Sequence, residues 1–331
     1  MKVVILYDRI AQEGSNPDQS DALVQAEAVR RILKDLGHDP VEMTFSMDLK
    51  GFLKEIREAS PQLVFNLVES VEGHGRLIHF PMSILDLLAI PYTGAPADAL
   101  YLTSNKVLAK RLLSGAGIPT PPYYSPSDLK ATNISLHGPY IIKSVWEHAS
   151  VGLEETSVLE VKSSGQLLAE MEKRRDQLGG DCFAEQFIEG REFNLSCLAS
   201  PEGPEVLPPA EMRFIDYPPD KWKVVGYKAK WDEASFESLH TQRSFDFPKS
   251  ERPLLQNLMD TARKCWHLFS LRGYARVDFR VDERNQPWVL EINANPCLSP
   301  DAGFVAAASQ AGLSYKQVVK RILLDAPLGQ G

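Results

Sequence analysis

Apolar and polar positions follow two rhythms along the first hundred residues. "VVILYD" at 3–8 and "QLVFNLVE" at 62–69 are short apolar runs of the length of buried strands. Between them, residues 21–36, "DALVQAEAVRRILKDL", set apolar side chains three and four apart and stop at Gly37, as a helix does. Residues 50–59 and 79–89 read as further helices, followed by "IPYTG". This βαβα order predicts a small parallel sheet with helices on its faces. Ligands of such sheets sit beyond the carboxyl ends of the strands. Residues 8–21 and 66–76 are therefore candidate binding loops.

The pattern then changes. Residues 104–115, "SNKVLAKRLLSG", predict a helix capped at Ser104 and ended near Gly115, and the connector "GIPTPPYY" follows. "YIIKSV", "SVLEV", a charged helix near 164–178 and "CFAEQFI" make a smaller α+β unit. From 191 onward strands return as "EFNLSCLA", "EVLPPAEMRF" and "KVVGYKAKW". A helix at 251–270, the strands "YARVDFRV" and "PWVLEIN", and a last helix near 314–324 complete the chain. The breaks divide it into 1–103, 104–190 and 191–331. No internal repeat and no low-complexity segment is present.

"RVDFRVDERNQPWVLEIN" carries the first chemistry. Alternation puts Arg276, Asp278 and Arg280 on one face of a strand and Val277, Phe279 and Val281 on the other. On the following strand Val289, Glu291 and Asn293 share a face, and a hairpin centred on Arg284–Asn285 sets Asp278 opposite Glu291. Facing carboxylates repel, and burying them is costly without a cation. Carboxylate and amide oxygens are hard ligands suited to magnesium, which also takes water and phosphate oxygens. Asp278, Glu291 and Asn293 are the candidate metal ligands of a nucleotide site, with Arg276 beside them for a phosphate. A solvated face with ordinary surface charge has the same spacing.

Other positions extend the site. Lys106 lies on a helix with an apolar opposite face, and Lys143 ends the strand "YIIK", within reach of a phosphate. Ser150 and Gly152 in "HASVG" are candidates for a loop of free N–H groups over a phosphate. Glu185 and Glu192 are candidate acceptors for an adenine amino group and ribose hydroxyls. Taken singly, each of these is a common surface residue.

Composition narrows the classes. Apolar content of 44% with 24% charged residues is that of a soluble globular protein. With 36 basic against 44 acidic residues and a net charge of −8, a nucleic-acid-binding surface is not expected. No apolar run reaches membrane-spanning length and no signal peptide leads the chain, so a cytoplasmic protein is expected. The four cysteines, Cys182, Cys197, Cys265 and Cys297, lack CxxC spacing and read as reduced thiols.

Six segments in order, "IPYTG", "NKVLAKRLLSGAGIPTPPY", "FIEGREFNL", "YKAKW", "RVDF" and "LEINANP", resemble the D-alanine–D-alanine ligase family of the ATP-grasp superfamily, over most of residues 60–325. The resemblance implies an α/β, three-domain ATP-grasp fold. A Rossmann-like parallel sheet comes first, and two α+β domains clasp ATP behind it. It implies that ATP phosphorylates a carboxylate and that an amine then attacks the acyl phosphate, with two magnesium ions, or manganese, bridging the phosphates. By motif, Lys106 and Lys143 would contact the α- and β-phosphates. Glu185, Gln186 and Ile188 would meet the adenine, Glu192 the ribose and Lys230 the γ-phosphate. Arg276 would stabilise the transferring phosphoryl group, and Ser150 would lie in the loop over it. The partners implied are small amino-acid-like carboxylates and amines, and a homodimer.

The substrate half departs from the family. The loop after the first strand, "YDRIAQEGSNPDQSD", has no glutamate in register for a substrate amino group, although Glu13 or Asp21 could substitute. The loop after the second apolar strand offers Glu69, Glu72, His74 and His79. Ala149 stands at a family serine and Trp231 at a family tyrosine. Cys297 replaces a glycine, and Ala302 replaces the serine that binds the acceptor's carboxylate. Backbone N–H groups near Cys297 remain available as an oxyanion hole. The expectation is an ATP-dependent carboxylate–amine ligase whose substrates are not D-alanine with D-alanine. The alternatives are a D-alanine–D-alanine ligase proper, a phosphotransferase on the same ATP platform, and a nucleotide-binding regulator without turnover. The stretch from 216 to 247 is the expected closing loop, carrying Lys230.

Overall fold

A computed structural model describes residues 1–8, 17–131, 134–147 and 153–327; Ser150, Gly152 and Glu13 lie outside the described residues. The elements run β1 (Lys2–Asp8), α1 (Pro17–Asp35), β2 (Asp39–Phe45), α2 (Leu49–Ala59), β3 (Leu63–Asn66), α3 (Phe80–Leu87), α4 (Ala97–Ser104) and α5 (Lys106–Gly115). Then come β4 (Tyr123–Tyr124), α6 (Pro126–Ala131), β5 (Pro139–Ser144), β6 (Val158–Glu160), α7 (Ser164–Arg174) and β7 (Cys182–Gln186). The last part holds β8 (Arg191–Ser200), β9 (Gly203–Val206), β10 (Ala210–Phe214), α8 (Tyr227–Trp231), α9 (Phe236–His240) and β11 (Thr241–Ser244). It ends with α10 (Arg252–Leu268), β12 (Tyr274–Val281), β13 (Pro287–Asn293), α11 (Gly303–Gln310) and α12 (Tyr315–Leu324).

Three sheets result. The first is parallel with order β2-β1-β3. β1 is apolar from Val3 to Leu6 because both its faces are covered, by α1 on one side and by α2 and α3 on the other. The second is the antiparallel sheet β4-β7-β5-β6, packed on α6 and α7 through Leu129, Ile142, Leu167 and Met171. The third has order β11-β10-β8-β12-β13, with β9 on β8.

Strict alternation makes the third sheet two-sided. Phe193, Leu195, Val277, Phe279 and Val281 join the core under α10, whose Leu258, Ala262 and Cys265 meet them. Glu192, Asn194, Arg276, Asp278 and Arg280 point the other way and floor a cavity of about 540 Å³. One face of each strand thus holds the fold together and the other presents chemistry.

Two quoted motifs have backbone reasons. In "IPYTG", Gly94 lies so close to Gly273 that a Cβ on Gly273 would sit 2.8 Å from the Gly94 Cα. That contact seats the first sheet on the third, and Arg272 Nε donates to the Gly94 carbonyl at 2.9 Å. In "FIEGREF", Gly190 has φ 135° and a Cβ there would lie 2.1 Å from the Val281 carbonyl oxygen. Gly190→Ala is expected to destabilise the protein by about 2 kcal/mol, through strain and clash together. A urea midpoint unchanged from the native protein would refute this.

Several elements differ from the sequence expectation. β2 is an edge strand with only Met43 and Phe45 buried, so no apolar run marks it. "KVVGYKAKW" is not a strand: α8 occupies its second half, and Gly226 packs against the Leu153 carbonyl, where a Cβ would come within 2.6 Å. The stretch from 216 to 247 holds α8, α9 and β11 rather than a plain loop. It is pinned where Lys221 pairs with Glu155 at 2.7 Å and Glu237 at 2.9 Å.

Candidate functional site

β12 and β13 form the hairpin read from the sequence, and Asp278 does face Glu291, with Arg276 facing Asn293. The route differs in one respect. Near the turn Phe279 pairs with Val289, and Leu290 is an extra residue, a bulge. Val289 therefore points into the core, not to the face of Glu291 and Asn293, whereas Leu290 and Glu291 both line the cavity. The bulge turns Glu291 to the Asp278 side.

The three oxygen-bearing side chains are already oriented. Arg276 grips Asp278 through two parallel bonds, Nε to Oδ1 at 2.8 Å and a terminal nitrogen to Oδ2 at 2.9 Å. Asn194 on β8 donates to Asp278 Oδ1 at 2.8 Å. The Asn295 N–H donates to Asn293 Oδ1 at 3.1 Å, leaving that oxygen a second lone pair. Asn295 is itself held by the Tyr274 hydroxyl at 2.7 Å and by its own bond to the Val68 carbonyl at 2.7 Å. Hard oxygen donors gathered at one end of a hairpin fit magnesium or manganese.

Cations face them. Asn105 caps α5 by accepting from the Leu108 N–H at 2.9 Å, and the Lys106 N–H bonds the Val145 carbonyl at 3.0 Å. These bonds bring the start of α5 to the end of β5. The Lys106 ammonium donates to the Glu147 carbonyl at 2.7 Å and stands 3.7 Å from Glu291. Burial lowers the Lys106 pKa, with Lys143 adding and Glu291 opposing. Lys230 on α8 reaches into the same space from its solvent-exposed helix. Partial desolvation against the cavity lowers its pKa while the side chain keeps solvent access; the nearby Arg276 adds, and Glu291, Asp278 and Glu192 oppose. Lysines so placed have their charge restored by a polyanion among them.

Glu185 lines the same cavity, with its carboxylate already engaged. It is 1% exposed, with its carboxylate committed to Lys143 on one oxygen and to Lys110 at 2.6 Å on the other. Burial opposes ionisation, but the two ammoniums overcome it and hold the carboxyl below its ordinary range. It positions Lys143. Lys110, unmarked in the sequence reading, also donates to the Thr120 hydroxyl at 2.9 Å. Gln186, Ile188 and Glu192 line the cavity too. Glu192 pairs with Arg280 at 3.4 Å, and Arg280 lies over the Phe187 ring at 4.9 Å. Arg280 was also unmarked, because on a strand it reads as a surface charge.

The other end of the cavity brings α1 and the segment after β3 to the segment after β13. Asp21, Glu69 and Cys297 cluster there. Gln25 donates to Glu69 at 2.8 Å and to Asp21 at 3.2 Å, and its carbonyl accepts from the Leu298 N–H at 2.8 Å. The Cys297 thiol donates to Asp21 at 2.8 Å, and Ser299 donates to it also. Of the four second-loop candidates only Glu69 lines the cavity. Glu72 accepts from the Met47 N–H, the His74 backbone bridges Val71, and His79 meets Tyr101 edge to face. Burial pushes the Cys297 thiol up, and Glu69 and Asp21 add to it, so it is no thiolate nucleophile.

Burial raises Glu69 from 4.5 to about 8, against the hydrogen bond from Gln25 and with help from Asp8 and Asp21. Asp8 moves the same way, from 3.8 to about 6, again chiefly by burial. Folded Glu69 thus keeps a proton that the unfolded chain loses, and stability falls as pH rises from about 4.5 to about 8. Glu69→Gln is expected to flatten most of that decline. Equal slopes of urea midpoint against pH in both proteins would contradict it.

Residues 112–324, more than half of the chain, match the family described as "D-ala D-ala ligase C-terminus". A Sinorhizobium fredii protein named "Uncharacterized protein y4sG" is 30% identical over 90% of this chain and 86% of its own length. A D-alanine–D-alanine ligase of Carboxydothermus hydrogenoformans is 28% identical over 94% of this chain and 95% of its own. The crystal structure of a Bacillus anthracis D-alanine–D-alanine ligase complexed with ATP superposes with a TM-score of 0.72 at 18% identity, covering 98% of this chain and 97% of that one. No helix among the described residues is long and apolar enough to cross a membrane. The chain thus belongs to the D-Ala–D-Ala ligase C-terminus family and is an ATP-grasp, ATP-dependent carbon–nitrogen ligase.

Proposed function

We propose that this enzyme joins a carboxylate to an amine through an acyl phosphate, releasing ADP and phosphate, and that its substrates are not D-alanine with D-alanine. The carrying observation is the Asp278–Glu291 register with Arg276 and Asn293 beside it, faced by Lys106 and Lys230 across one cavity. Two magnesium ions, held by Asp278, Glu291 and Asn293, would supply charge neutralisation at the phosphates. Lys106 and Lys143 hold the α- and β-phosphates, with Lys143 steadied by Glu185. The backbone of Gln186 and Ile188 meets the adenine, and Glu192, set by Arg280, takes the ribose.

A substrate carboxylate oxygen attacks the γ-phosphorus, the bond to the β–γ bridging oxygen breaks, and ADP leaves with that oxygen. Lys230 and Arg276 stabilise the charge spread over the transferring group. The amine then attacks the acyl carbon, phosphate departs with the acyl oxygen, and the amine loses its proton as the amide forms. Enclosure between the second and third sheets keeps water from the acyl phosphate. Residues 1–103, 104–190 and 191–331 act as three domains in a cytoplasmic homodimer.

Several positions that carry substrate contacts in the D-alanine ligase pattern differ here: Trp231, Cys297 and Ala302, with no glutamate in register in the first loop. Buried polar contacts decide specificity in such sites. ADP release measured with MgATP against single and paired amino acids tests the proposal. Turnover that needs two substrates, with a pair other than D-alanine and D-alanine preferred, is expected. Efficient formation of D-alanyl-D-alanine would overturn the substrate assignment, and ADP release with a single substrate and no amine would favour a phosphotransferase.

A further inference from the structure

The substrate end of the cavity contains an arginine that the mechanism has not used. Arg243 lies on β11, where it pairs with Met212, and Met212 pairs with Glu192 on β8. Glu192 in turn pairs with Arg280, so Arg280, Glu192, Met212 and Arg243 form one row across the sheet, and all four line the cavity. Three strand spacings of about 4.8 Å set the backbones of Arg280 and Arg243 about 14 Å apart. Arg243 thus stands well away from the ribose partner Glu192 and toward Gly303 and Asp301.

Its guanidinium rests against the start of α11: a Cβ on Gly303 would lie 3.3 Å from it. Arg276 is its near neighbour of like charge and Asp301 of opposite charge. The two arginines differ in how they are held. Arg276 has both oxygens of Asp278 in its fork. Arg243, among the described residues, donates no hydrogen bond and has no carboxylate within salt-bridge distance. It keeps solvent access through the cavity, with its donors free in a geometry that matches a carboxylate.

We infer that Arg243 is a specificity-determining residue, binding an anionic group carried by the amine substrate. The inference rests on the ligase reading. The group is not the carboxylate that becomes phosphorylated, because a carboxylate gripped by a guanidinium fork has both oxygens engaged and is a poor nucleophile. It belongs to the far end of the second substrate, whose amine points back toward Arg276. The segment from Asn293 to Gly303 runs from the metal ligands to this guanidinium and lines the cavity at Cys297, Ser299 and Asp301. A single substrate therefore spans from one to the other along it.

The test uses the full-length protein and ADP release with MgATP. The active pair is first found among the standard α-amino acids in both enantiomers. Arg243→Ala, Arg243→Lys and the native protein are then compared on the amine substrate and on its carboxamide. Arg243→Ala is expected to raise KM for the amine substrate about 10- to 100-fold, the usual worth of a charge-assisted pair. KM for ATP and for the other substrate stays within about threefold, and Arg243→Lys recovers part of the loss. The carboxamide is expected to be poor with the native protein and no worse with Arg243→Ala. Equal discrimination against the carboxamide by both proteins, or an unchanged KM, overturns the inference and leaves the ligase reading standing. Absence of ADP release with every pair overturns the ligase reading and this inference with it. A thermal melt and MgATP binding like the native protein's confirm that a KM change is not a loss of fold.

Discussion

Arg276→Ala is expected to lower kcat by about 10²- to 10³-fold, the cost of losing a preorganised charge aimed at a transferring group. The size follows from how the side chain is held. Two bonds to Asp278 fix the plane of the guanidinium, and Asn194 fixes Asp278 in turn. The guanidinium is therefore already oriented and needs little reorganisation when charge develops. Arg276→Lys offers a point charge without the paired donors, so it is expected to restore no more than about tenfold. KM for ATP is expected to move much less than kcat, because the nucleotide contacts proposed above are Lys106 and Lys143, which Arg276 does not hold. Pre-steady-state measurement of ADP formation separates the two; a variant that bound ATP poorly but turned over at the native rate would place Arg276 in binding alone.

Lys110→Met is expected to destabilise the protein by about 3–5 kcal/mol, the cost of leaving a buried charge with one partner removed. Lys110 and Glu185 are each 1% exposed and 2.6 Å apart. The second partner of Glu185, Lys143, is only partly buried and softens the loss. Lys110 also bonds Thr120, whose hydroxyl donates to the Val289 carbonyl at 2.8 Å. The change therefore reaches the bulged strand that carries Glu291. The double variant Lys110→Met with Glu185→Gln is expected to recover part of the stability, since the stranded carboxylate is gone. It is not expected to recover ATP affinity, because Lys143 loses the group that positions it. Equilibrium urea unfolding of the three proteins measures this; a single variant within about 1 kcal/mol of native would show that water or rearrangement satisfies Glu185.

What could be read from residues alone was whatever alternation or helical spacing encodes. The two faces of β12 were legible because Val277, Phe279 and Val281 interleave with Arg276, Asp278 and Arg280. The facing of Asp278 and Glu291 was legible too, but not the bulge that produces it: Leu290 is one more apolar residue in an apolar run. Lys110 was not marked at all. A signal existed, since it falls with Lys106, Ala109 and Leu113 on the buried stripe of α5, where a solvated charge has no place. β2 was hidden because an edge strand buries few side chains. α8 was hidden because packing against Leu153, not propensity, shapes its five residues. At the substrate end Asp21 and Glu69 fell inside the candidate loops, whereas Arg243 had no motif around it, and only the row across the third sheet brings it to the cavity.

A crystal of the full-length protein grown with manganese and a non-hydrolysable ATP analogue, measured at the manganese absorption edge, tests the central claim most directly. Anomalous peaks about 2.1–2.3 Å from oxygens of Asp278, Glu291 and Asn293, with the triphosphate between them and Lys106, are the expected result. Nucleotide bound in the cavity with those three oxygens facing only water would contradict it.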